Sequence, residues 1–155
     1  MSYTLLKTIH VLAVILFVGN IVVTAVWKSL ADRTRDPRII TFGQRLVRVT
    51  DAALTGPGAV LVLATGLLMM GNFGEAPLRL RWIHMGLGLF VVSGIVWAAA
   101  LVPIQVKQSR ILRGLRDGDP VPEAYWRLGR WWMVLGAVAT LLPLVNVVLM
   151  VMKPV

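Results

Sequence analysis

Four stretches of this 155-residue chain contain no Asp, Glu, Lys or Arg: Thr8–Trp27, Ala52–Gly74, Trp82–Val106 and Trp131–Met152, of 20, 23, 25 and 22 residues. An α-helix rises about 1.5 Å per residue, so roughly 20 residues cross the ~30 Å hydrocarbon layer of a bilayer. Every stretch reaches that length. The sequence therefore predicts an all-α, polytopic membrane protein: a single domain of residues 1–155 built as a bundle of four transmembrane helices. Apolar residues make up 57% of the chain, above the roughly 45–50% usual for globular domains. Four crossings leave no segment for a soluble catalytic domain.

The net charge of +9 would suit nucleic acid, but its placement points to a membrane. Lys28, Arg33, Arg35, Arg38, Arg45 and Arg48 flank the first connection, and Lys107, Arg110, Arg113, Arg116, Arg127 and Arg130 flank the third. Only Lys7, Arg79, Arg81 and Lys153 lie near the opposite ends. Lys and Arg accumulate in cytoplasmic loops. Twelve bases against four predict both termini outside and the first and third connections inside, where the basic residues meet anionic headgroups. A cleaved signal peptide would carry its charge before a shorter apolar core. Here the heavy charge follows a longer one, so the first helix is expected to be retained. The absence of cysteine excludes disulfides, thiolate catalysis and iron–sulfur clusters.

The expected helices run from about Tyr3 to Ala31, from near Ile39, from about Leu80 to Arg110, and from near Glu123 to Met152. Gly56-Pro57-Gly58 falls inside the second. Proline removes a backbone donor and crowds the preceding turn, which predicts a kink there. Arg48 and Asp51 are expected to pair with each other or with headgroups. Trp126, Trp131 and Trp132 are expected as interfacial anchors. Asn20 and Asn146, near mid-helix, are expected to bond to neighbouring helices. The seven methionines are scattered as core filler.

The chain has two histidines, His10 and His84. With this topology they fall at similar depth in the outer leaflet, on different helices. Facing helices of a bundle build cofactor sites, and two imidazoles can supply both axial ligands of a haem. Gly88 lies one turn beyond His84 and Ala13 beside His10, leaving room for a macrocycle. Lys7, Arg79 and Arg81 could pair with propionates. The alternative is ordinary interfacial histidines and helix-packing glycines.

Leu6-Lys7-Thr8-Ile9-His10-Val11 and Trp82-Ile83-His84-Met85-Gly86-Leu87 resemble the helix openings of the HemJ family, membrane-embedded haem-b protoporphyrinogen oxidases. More closely, Trp27-Lys28, Ala31-Asp32, Thr50-Asp51 and Thr55-Gly56-Pro57-Gly58 resemble the DUF2269 family of uncharacterised bacterial four-helix membrane proteins, over most of the chain. The DUF2269 resemblance implies a bacterial inner (plasma) membrane location, and the HemJ resemblance implies haem b ligated by His10 and His84. It does not carry the oxidase activity. Where the HemJ pattern has a lysine two residues after the third-helix histidine, this chain has Gly86. Where that pattern has an arginine ending the first helix, it has Trp27 and Lys28. The expectation is a haem-b redox protein passing electrons to or from quinone or a redox partner, alone or within a homo-oligomer or larger complex. The alternative is a cofactor-free scaffold or accessory subunit. A transporter fits less well, since few intramembrane charges are available.

Overall fold

The computed structural model describes residues 2–71, 80–116 and 118–154. Among them no strand occurs, and four helices are long and apolar enough to cross a membrane: α1 (Tyr3–Arg33), α2 (Pro37–Gly71), α3 (Arg81–Arg113) and α4 (Glu123–Met152). Local chemistry sets these bounds. The Ser2 hydroxyl accepts from Leu5 N–H at 3.3 Å and caps α1. The Asp36 carboxylate accepts from Arg38 N–H at 2.8 Å and caps α2, with Pro37 in the first turn, where its missing N–H costs nothing. That cap starts α2 before the expected Ile39. Most of the connection between α2 and α3, including Arg79, lies outside the described residues.

Two π turns interrupt the helices, Asp51–Thr55 in α2 and Trp97–Leu101 in α3. Each ends two residues before a proline. Gly56 N–H donates to the Asp51 carbonyl ahead of Pro57, and Val102 N–H donates to the Trp97 carbonyl ahead of Pro103. A proline ring presses on the carbonyl four residues back, and a shift to i→i−5 bonding widens the helix there. The disturbance expected around Pro57 thus takes the form of a π turn. Its counterpart before Pro103 was not foreseen.

α1 lies along α2, and α3 along α4. The pairs join toward the end that carries the α1–α2 and α3–α4 connections, where Gln44 of α2 donates to the Gln105 carbonyl of α3 and Lys28 of α1 meets Tyr125 of α4. The buried stripe of α1 is Ala13, Phe17, Asn20, Thr24, Lys28 and Ala31, spaced by threes and fours as one helix face requires. The opposite surfaces are apolar and open. Ile15, Leu16, Val60, Ile95, Trp131 and Leu141 are 56–67% exposed, as suits side chains that meet lipid rather than water.

Small residues set the helix separations. A Cβ on Gly43 would lie 2.7 Å from the Ala31 Cβ, and one on Gly58 would lie 3.1 Å from the Phe17 Cβ. Gly43→Ala is therefore expected to push α2 from α1 and cost about 1–3 kcal/mol, the usual penalty of overpacking. Gly19→Ala, at a site with nothing within 4 Å, should be neutral. Thermal denaturation of both variants in detergent checks this, and equal midpoints would contradict the close approach.

Candidate functional site: a cavity where the two π turns meet

Asp51 extends the buried stripe Ile40, Gln44, Val47 of α2, and this carries its side chain inward. Its carboxylate accepts from the Thr55 hydroxyl at 2.8 Å and from Gln105 Nε2 at 2.9 Å. Asn20 Nδ2 donates to Thr55 Oγ1 at 2.8 Å. Three helices thus converge on one carboxylate through neutral side chains. The expected pairing of Arg48 with Asp51 does not occur: Asp51 continues the buried stripe, whereas Arg48 lies one residue, about 100° of rotation, beyond Val47 and is exposed. A carboxylate inside a bundle is costly, and such residues usually mark a site.

Beside this cluster lies a cavity of about 460 Å³. Asp51 and Thr55 of the first π turn and Trp97 and Leu101 of the second line it together, with Gln105 beyond. The remaining wall is chiefly apolar, including Phe17, Ile21, Phe90 and Trp132. Its rim includes Val22 and Val26 of α1 and Met133 and Leu141 of α4, all well exposed on the lipid-facing surface. The cavity therefore opens sideways, between α1 and α4.

The indole Nε1 atoms of Trp97 and Trp132, two lining residues, are buried and have no hydrogen-bond partner among the described residues. Trp132 is 5% exposed, so it is a wall of the site rather than the expected interfacial anchor. Leaving a buried donor unpaired costs about 1–3 kcal/mol.

At the connection end of the same α1 stripe, Lys28 Nζ donates to Tyr125 Oη at 2.9 Å and to Asp32 at 3.0 Å, and Tyr125 Oη donates to Asp32 at 2.7 Å. Lys28 is 1% exposed and Tyr125 fully buried. The ammonium also lies 5.4 Å from the centroid of the Trp132 ring, a cation–π distance. Lys28 is therefore not the surface base that a charge tally takes it for. It ties α1 to α4 directly behind the cavity wall.

The two histidines are elsewhere, and no hydrogen bond joins them. His10 is half-buried, with Nδ1 2.8 Å from Thr65 Oγ1 of α2. A Cβ on Gly66 would lie 3.5 Å from its Cε1. His84 is exposed, with Nδ1 3.2 Å from the Leu80 carbonyl of its own helix. It lies two residues, about 200° of rotation, from Gly86, which faces Asn146 of α4. The histidines face in different directions, and neither lines the cavity. Gly88 opens onto free space on the exposed side of α3. Lys7 and Arg81 are exposed. As arranged, these residues do not fit a haem held between His10 and His84.

The residues that carried the likeness to DUF2269 gather elsewhere. Lys28 and Asp32 form the buried cluster, Thr50 meets Thr24 at 3.5 Å, and Asp51 and Thr55 line the cavity. Trp97, Gln105, Trp132 and Tyr125 were missed by sequence reasoning. The signal was there in Pro103, which stands to Trp97 as Pro57 stands to Asp51. No curated protein and no solved structure matches the chain. The chain belongs to the DUF2269 family of predicted integral membrane proteins, which it matches over residues 4–154.

Proposed function

We propose that this protein binds a lipophilic carbonyl compound of the quinone class, taken directly from the bilayer. The observation that carries the reading is the buried, unpaired indole N–H group on each of Trp97 and Trp132, two residues that line the cavity. Carbonyl oxygens are the acceptors those donors lack. Phe17, Ile21, Phe90 and Leu101 offer an apolar surface to a ring and its substituents, as ligand pockets do. The sideways opening suits a ligand that never leaves lipid. Asp51, Thr55 and Gln105 supply a polar wall that can accept from or donate to a quinol hydroxyl. The protein then serves quinone-linked electron transfer as a binding component.

Decylubiquinone titrated into the purified chain in neutral detergent tests this through tryptophan fluorescence. Saturable quenching near one equivalent is expected, and weakened quenching in a Trp97→Phe/Trp132→Phe variant. Non-saturating quenching, identical in the two proteins, would overturn the reading. The absorption spectrum of protein grown with ample haem addresses the other expectation. Sharp haem bands lost in His10→Ala and His84→Ala would restore the haem-b reading in place of this one.

The basic asymmetry supports placing both termini outside, although Lys28 no longer counts among the surface bases. An impermeant thiol reagent applied outside intact cells should label Ser2→Cys and not Arg113→Cys, both exposed positions. The opposite pattern would reverse the orientation.

A further inference from the structure

A second concavity of about 570 Å³ lies at the connection end of the bundle, lined by residues that include Arg35, Arg38, Arg116, Trp126, Asp36 and Asp119. We infer that this pocket binds a phosphate group, that of an anionic phospholipid headgroup at the membrane surface. It is separate from the cavity between α1 and α4, and the inference holds whichever leaflet it faces.

Two acids line this pocket beside the arginines. The Asp36 carboxylate is engaged by the backbone N–H of Arg38 at 2.8 Å, and that of Asp119 by the backbone N–H of Arg116 at 2.9 Å. Each closes its own turn. Among the described residues no carboxylate bonds the guanidinium of Arg35 or of Arg116. Two guanidiniums thus share one pocket without a carboxylate partner among the described residues.

Arg35 is also held in position. It stands just beyond the end of α1 with φ 57, a left-handed backbone that non-glycine residues seldom adopt. Its guanidinium lies 4.3 Å from the centroid of the Trp126 ring. Trp126 is fixed in turn, donating Nε1–H to the Val121 carbonyl at 3.2 Å and meeting Tyr125 edge-on. A guanidinium stacked on an aromatic face keeps its in-plane N–H donors free at the edge. That is the fork that recognises phosphate oxygens in pairs. Because the stacking fixes it beforehand, less freedom is lost on binding than for a freely moving surface arginine. The amphipathic indole of Trp126 suits headgroup depth, which favours a lipid as the source of the phosphate over a soluble molecule.

Native mass spectrometry of the full chain in neutral detergent tests the site with three probes: phosphatidylglycerol, phosphatidylcholine and inorganic phosphate. Wild-type protein should retain one phosphatidylglycerol more tightly than phosphatidylcholine. Arg35→Gln/Arg116→Gln should lose that preference by roughly tenfold or more, as expected when charge-assisted bonds are removed. Arg127→Gln/Arg130→Gln removes the same charge at the same end, outside the pocket, and should keep the preference. Arg116→Gln alone, in an exposed loop, guards against misfolding at Arg35 and should weaken retention by itself. Inorganic phosphate that competes with the lipid, and fails to bind the pocket variant, would support the same site with a soluble source. Equal losses in the pocket and control variants would overturn the proposal, as would retention that none of them changes.

Discussion

Lys28→Ala is expected to destabilise the solubilised protein by about 3 kcal/mol, the lower part of the range for breaking a buried ion pair. Asp32 keeps some contact with water, at 21% side-chain exposure, which moderates the loss. The substitution leaves the Asp32 carboxylate without its counter-charge and removes the donor that joins α1 to Tyr125 of α4. Lys28→Met/Asp32→Asn should recover a substantial part of the loss, because neither charge is then left alone. Unfolding midpoints of the single and double variants measure this directly. A Lys28→Ala protein as stable as wild type would mean that Lys28 reaches water and is a surface base after all.

Gly136→Leu is expected to abolish quinone binding, by roughly a hundredfold in affinity, or about 2.7 kcal/mol, without weakening the fold. Gly136 lines the cavity, and a Cβ built on it meets nothing within 4 Å. A leucine there grows into the space the ligand needs rather than into a neighbour. Stability should stay within about 0.5 kcal/mol of wild type or rise. Loss of binding together with a large loss of stability would show that Gly136 is a packing position and that the cavity wall is not where it was placed. Gly43 keeps two helices close, whereas Gly136 keeps a space open.

The crossings were legible because each needs a long run without charge, and such runs have no other use in a chain this short. The bounds of α4, Glu123–Met152, coincide with those expected. Helix rotation was less legible. These helices are apolar nearly all round, so the hydrophobic pattern that marks the inner face of a soluble helix is missing. In its place a sparse polar stripe marks the interior, as Asn20, Thr24 and Lys28 do on α1. His10 and His84 show what depth alone leaves open. Residue counting places both in one layer, but their directions depend on which helix each faces, and α1 lies along α2 while α3 lies along α4. Lys28 shows a related limit. A tally treats every base as a surface charge, whereas burial follows from Tyr125, 97 positions away. Asp51 was expected to meet Arg48 of its own helix or a headgroup, but its partners are Thr55 of its own helix and Gln105 of another.

The most direct test of the quinone reading is the set of indole N–H signals of 15N-labelled protein in detergent. Six tryptophans give six signals, each assignable by single Trp→Phe variants. Adding decylubiquinone should shift those of Trp97 and Trp132 downfield together and saturably, as their hydrogens meet carbonyl oxygens. Trp82, Trp126 and Trp131 should be nearly unmoved. If Trp97 and Trp132 stay fixed at saturating ligand, or move no more than the exposed Trp131, the cavity does not hold a quinone.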